Sequence, residues 1–233
     1  MKATNELKRR EFLRTATGAV GLVTLWDSFS SLSSFGAESD DKPKSKEAVD
    51  KLLAEMEGKG RQMLSAPRKD GQFLNLMVKA ARAKNVVEVG TSEGYSSIWM
   101  SLGLEETGGH ITTIDIASEK VELAKKNVGQ AGLTHRVTFK LGDAHEVVPT
   151  QDGPFDFVFL DADKEGQPDY FKKLYPKKLL PGGIIAVHNA IRMRDAMKDY
   201  LDMISQHPDF DSVILSLTMD DGFSVSYRKR KNV

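Results

Sequence analysis

The densest chemistry in this chain of 233 residues lies where Phe155, Asp156, Phe157, Val158, Phe159 and Leu160 run into Asp161, Ala162, Asp163 and Lys164. Two carboxylates and an ammonium leave the end of one apolar strand together. A second apolar run ends in Val187, His188 and Asn189. If the two strands are neighbours, Asp161, His188 and Asn189 could surround one ion. Oxygen ligands suit magnesium or calcium. An imidazole moves the preference toward manganese, iron, cobalt or zinc. Lys164 beside a cation would have a lowered pKa and could serve as a base. The plainer alternatives are a surface ion pair for Asp161 and Lys164, and a hydrogen-bonded strand-end residue that binds nothing for His188.

A second constellation precedes it. Glu88, Val89, Gly90, Thr91, Ser92, Glu93, Gly94, Tyr95 and Ser96 form a glycine-rich loop after a short valine-rich strand. Gly90 and Gly94 are four apart, which is neither the dinucleotide G-x-G-x-x-G spacing nor a phosphate loop ending in Lys-Ser/Thr. Glycine lets a backbone approach a ligand closely, and a following helix offers free N–H groups. Asp115 ends the next strand, 27 residues after Glu88. An acid there can accept hydrogen bonds from both hydroxyls of a ribose. Nicotinamide enzymes share that logic, but the loop spacing and Glu88 fit S-adenosylmethionine better. A plain tight turn at Gly90 and a helix N-cap at Asp115 are the alternatives.

Strands that end at such residues must be positioned by alternating elements. Apolar spacing predicts helices over 46–64, 73–81, 95–104, 119–131, 168–179 and 190–206. It predicts strands at 86–89, 110–116, 137–141, 155–160, 184–187, 213–217 and 223–227. Alternation of this kind argues for an α/β fold, a largely parallel sheet of seven strands with helices on both faces. The turn Asp220 to Gly222 suggests that the last two strands form an antiparallel hairpin at one edge.

Composition narrows the function classes. The chain is 40% hydrophobic and 28% charged, ordinary globular usage, and its 33 basic residues cancel 33 acidic ones. That balance argues against a wholly basic nucleic-acid binder. Without cysteine there is no disulfide, thiolate metal site or cysteine nucleophile. No apolar run approaches the roughly 20 residues of a membrane span. At the front, Arg9 and Arg10 precede Phe12 and Leu13, followed by an uncharged stretch from Thr15 to Trp26 and small residues up to Ala37. That order is the layout of a twin-arginine export signal. We therefore expect a signal segment over 1–37, a polar linker over 38–45 and one catalytic domain over 46–233. The expected location is the periplasm, or the cytoplasm if the signal is not used.

From about Gly71 to Tyr227 the chain resembles the S-adenosylmethionine-dependent O-methyltransferases of the caffeoyl-CoA and catechol type. The strings that carry it are DGQFLNLMVKAARAKNVVEVGTSEGYSS, ITTIDI, FDFVFLDADKEGQPDYF, LLPGGIIAVHNA and DDGFSVSYRK. The resemblance implies a Rossmann-like methyltransferase fold, a small catechol-like acceptor and a homodimer. It implies that Glu88, Gly90 and Ser96 hold the methionine end of S-adenosylmethionine with Tyr95 beside it, Asp115 the ribose and Ala144 the adenine region. It also implies that Asp161, His188 and Asn189 are ligands of a divalent metal (magnesium, manganese or a softer ion), with Asp161 also touching the cofactor and Lys164 as base. One departure stands out: the family usually has Asp where this chain has His188. A metal-independent methyltransferase of the same fold and a non-catalytic exported binding protein are the alternatives. Asn189 is expected to pass directly into a helix, leaving an open site.

Overall fold

A computed structural model of the chain describes residues 42–58, 67–217 and 221–230. The export signal expected over residues 1–37 lies outside them. Seven strands form one sheet: β1 (Asn85–Val89), β2 (His110–Asp115), β3 (Val137–Leu141), β4 (Phe155–Leu160), β5 (Leu179–His188), β6 (Phe210–Leu215) and β7 (Phe223–Arg228). Their order is β3-β2-β1-β4-β5-β7-β6. The first five are parallel, whereas β7 runs antiparallel between β5 and β6. The mostly parallel sheet and its C-terminal hairpin are as the sequence led us to expect.

The central strands read as unbroken apolar runs because helices cover both of their faces. Val86, Val87 and Val89 of β1, and Phe157, Val158, Phe159 and Leu160 of β4, are all buried. On one face, Val86, Phe157 and Phe159 pack with α1 (Lys46–Gly58), α2 (Arg68–Ala80) and α3 (Tyr95–Thr107). On the other, Val87, Val158 and Leu160 pack with α6 (Gln167–Leu174) and α7 (Lys198–Ser205). The remaining helices are α4 (Ser118–Gln130) and the single turn α5 (Ala144–Val147). Among the described residues no helix is long and apolar enough to cross a membrane.

Several boundaries differ from the sequence expectation. Residues 190–197 form turns, and helix begins only at Lys198. Asn189 adopts φ 65° at the end of β5, a left-handed conformation that asparagine tolerates better than most residues, and the chain turns there before any helix starts. The edge strand β6 begins at Phe210 rather than Val213. Its first residues after Phe210 are exposed, so they carry no buried alternation to read. The strand order reverses between β1 and β4, and the crevice at that point opens at the carboxyl ends of the strands, where ligands bind in open α/β sheets.

Candidate functional site

A cavity of about 850 Å³ fills that crevice, within the size range of small-molecule sites. Gly90, Tyr95, Ser96, Asp115, Ala144, Asp161, Lys164, His188 and Asn189 all line it. Glu88 does not.

The glycine loop is pinned to the sheet on both sides. The Gly90 N–H donates to the Ile114 carbonyl at 2.9 Å and the Asp161 N–H to Val89 at 2.8 Å. Thr91 and Thr113 share a buried hydroxyl contact of 2.6 Å. Gly90 sits at φ 100°, and a Cβ there would lie 2.7 Å from the Asp161 carbonyl oxygen. Its glycine therefore answers to the neighbouring strand end as well as to any ligand. Asp115 Oδ2 accepts from the Ser92 N–H at 2.8 Å and Oδ1 from the Ala117 N–H at 3.0 Å. These bonds hold the carboxylate at the cavity wall with lone pairs to spare, since each oxygen can accept more than once. Beside it Ile116 is 71% exposed, an apolar side chain opposite no core.

Glu88 lies beneath the wall. It is fully buried on β1, bonded to the hydroxyls of Ser96 and Ser97 in the first turn of α3. It therefore supports the loop from inside, where a ligand-facing position had been expected. Burial pushes its carboxyl up to about 7 against the opposing pull of the two serine hydroxyls. A folded pKa above the unfolded value of about 4.5 means the folded state binds more protons. Stability from this group is complete below pH 4.5 and is lost as pH rises through 7. Glu88→Gln keeps an acceptor and removes the titration. Melting curves of the ligand-free protein should find it about as stable as wild type at pH 4.5 and more stable at pH 8 by up to about 3 kcal/mol. Parallel curves across that range would refute the assignment.

On the opposite wall, β4 and β5 pair Leu160 with Val187, so Asp161 and His188 emerge side by side. Asp161 Oδ1 meets Lys164 Nζ at 2.8 Å and Oδ2 meets His188 Nδ1 at 3.2 Å. Burial would raise the Asp161 carboxyl, but His188 and Lys164 hold it down at about 2. The other ring nitrogen, Nε2, meets Asp70 Oδ2 of α2 at 3.0 Å. Burial would lower the His188 pKa, and the two carboxylates instead raise it to about 9. Asp70 and His188 are 1% and 5% exposed. Asp221 also brings a carboxylate oxygen within 4.8 Å of these ligand atoms, and Arg192 reaches it at 3.4 Å.

These residues do not fit the divalent ion that the resemblance implies at Asp161, His188 and Asn189. A metal-bound imidazole needs a bare nitrogen lone pair. Here both nitrogens of His188 point at carboxylates, and both oxygens of Asp161 are engaged by cations.

Three features in and behind the wall escaped the sequence reading. Asp70 precedes the helix expected over 73–81 and carried no expectation of its own. His145 stacks on Tyr170 with ring centres 4.3 Å apart, and Tyr170 donates to Asp163 at 2.6 Å. Asp143 caps the turn α5 by accepting the His145 N–H at 2.8 Å. Four residues are too few for periodicity, but an Asp two residues before His145 was a readable capping signal.

The family model described as O-methyltransferase matches residues 38–220. The chain is 36% identical over 137 residues to the catechol O-methyltransferase of Niastella koreensis, covering 57% of this chain and 61% of that protein. It is 31% identical over 178 residues to the catechol O-methyltransferase of Mycobacterium tuberculosis, covering 70% and 80%. It thus spans less than two thirds of the first relative and four fifths of the second. Among solved structures, the O-methyltransferase from Bacillus cereus in complex with SAH superposes with a TM-score of 0.70 at 26% identity, covering 80% of this chain and 92% of that one.

Proposed function

This chain belongs to the O-methyltransferase family, and we propose that it moves a methyl group from S-adenosylmethionine to a hydroxyl of a small phenolic acceptor. The observation that carries this reading is a single cavity with Asp115 and the glycine loop on one wall and Asp161 with Lys164 on the other. The first wall suits the cofactor. Asp115 would accept from the ribose hydroxyls, Ile116 and Ala144 would bracket the adenine, and Gly90, Tyr95 and Ser96 would take the methionine end.

S-adenosylmethionine supplies a sulfonium methyl that is already activated, so the protein's work is alignment and proton management. A phenol has a pKa near 10 and is a weak nucleophile while protonated. At rest Lys164 is the ammonium bonded to Asp161 Oδ1; once it has released a proton to solvent, its amine takes the hydroxyl proton, and the ammonium that re-forms is held by Asp161 Oδ1. Asp161 stays anionic throughout, which suits an anchor and not an acid. A divalent ion gripping two adjacent hydroxyls would be the metal-assisted form of this reaction, but the donor set does not fit one.

The cofactor assignment is tested at Asp115. Asp115→Ala should weaken S-adenosylmethionine binding by about 1–3 kcal/mol, the cost of charge-assisted hydrogen bonds lost at a partly buried site. Titration calorimetry reads this directly, and an unchanged affinity would remove Asp115 from the cofactor site.

A further inference from the structure

We propose that His188, bridging Asp161 and Asp70 through its two ring nitrogens, fills the place of a divalent ion, so that methyl transfer here needs no metal and takes acceptors with a single hydroxyl. This rests on the methyl-transfer reading and deepens it.

An ionised carboxylate can only accept, so a ring held at 3.2 Å and 3.0 Å between two carboxylates must donate from both nitrogens. Only the doubly protonated imidazolium does that. Charge then closes within the protein. Asp70, Asp161 and Asp221 supply three negative charges, and His188, Lys164 and Arg192 meet them at 2.8–3.4 Å. Buried charges persist when paired in this way. An incoming divalent ion would have to strip a proton from His188 and pull Asp161 away from both its partners. The ring is also fixed by packing: its centre lies 4.9 Å from that of Phe223 and 6.5 Å from that of Phe159.

The consequence reaches the substrate. An ion that grips two adjacent hydroxyls selects vicinal diols. A cavity whose cations are side chains imposes no such pairing, and one acidic hydroxyl within reach of Lys164 is enough. The step remains balanced: Lys164 first releases a proton to solvent, the acceptor O–H proton passes to its amine, the O–CH3 bond forms, the S–CH3 bond breaks, and S-adenosylhomocysteine leaves.

The test begins with ion binding, which requires no activity. The purified full chain, treated with chelator and desalted, is titrated calorimetrically with magnesium, manganese, cobalt and zinc chlorides. We expect no saturable binding from wild type. His188→Asp should gain saturable binding, because it removes the cation and adds a hard anionic ligand beside Asp161 and Asn189. Nitrogen-15 spectra of ring-labelled wild type at pH 7.5 should find both His188 nitrogens protonated, a readout that stands even if the variant fails to fold. Methyl transfer should be unchanged in chelator, with kcat/KM for a monohydric phenol within about tenfold of that for catechol. One-to-one ion binding by wild type at any of these carboxylates, a singly protonated ring, or chelator-sensitive turnover restored by an ion would overturn the proposal. Failure to bind S-adenosylmethionine would instead sink the methyl-transfer reading, and the ion titration and ring spectra would still decide the state of His188.

Discussion

Lys164→Ala should lower turnover by about 10²–10⁴-fold while leaving S-adenosylmethionine affinity nearly intact. Proton transfer by a positioned side chain contributes on that scale, and Lys164 stands on the wall opposite Asp115 and Ile116. The ion pair with Asp161 complicates a single substitution, because the alanine variant leaves Asp161 paired with His188 at 3.2 Å and without the Lys164 charge. Lys164→Arg separates the two roles. A guanidinium keeps the positive charge but cannot give up its proton at neutral pH. A proton acceptor predicts that the arginine variant is as slow as the alanine one. A purely electrostatic role predicts that it recovers most of the activity. Single-turnover rates with saturating cofactor, measured beside calorimetric affinities, distinguish these outcomes, since a loss confined to the chemical step lowers kcat without changing binding. An arginine variant with near-wild-type turnover would show that Lys164 is not the base.

The sheet was legible because burial writes itself into sequence where strands are covered on both faces. The apolar runs of β1 and β4 admit few other readings, and the acids that follow such runs must lie at the crevice of the sheet. Asp161, Lys164 and Asp115 could therefore be placed at the crevice from position alone. Glu88 was misplaced by the same rule, because it lies inside β1 and its side chain points toward α3, one residue short of the strand end. Asp70 was beyond reach for a different reason. It stands 118 residues from His188 in the chain, in an amphipathic helix where a lone acid reads as solvent-facing. Nothing local says that α2 turns this carboxylate inward. The plainer reading of His188, a strand-end residue satisfied by hydrogen bonds, was available from sequence, but its partner on the far side was not. The turns over 190–197 were misread as helix because their apolar residues recur at helical spacing. Backbone bonds from Ala190 and Ile191 to Gly222 and Asp221 tie the start of this segment to the β6–β7 connection instead.

Gly90→Ala should destabilise the protein by about 2–6 kcal/mol and impair cofactor binding and turnover together. Two costs combine. An L-residue held in the positive-φ region costs about 1–3 kcal/mol, and Gly90 sits at φ 100°. Forcing a methyl into a packed site costs typically about 1–3 kcal/mol more. The added Cβ would lie 2.7 Å from the carbonyl oxygen and 2.8 Å from the carbonyl carbon of Asp161. Neither atom belongs to a flexible side chain. Relief requires β1 and β4 to separate at their ends, which stretches the 2.8 Å bond from the Asp161 N–H to Val89. That movement carries Asp161, and with it Lys164 and His188, away from the cofactor wall. At roughly 2–4 °C per kcal/mol for a chain of this size, the melting temperature should fall by about 4–24 °C. Gly129→Ala is the matching control. A Cβ there meets nothing within 4 Å and replaces the poorer helix former near the end of α4, so stability should rise by up to about 1 kcal/mol. If Gly90→Ala melts with wild type and still binds S-adenosylmethionine, the loop is free to move, and the close fit of β1 against β4 is not what sets the distance between the two walls.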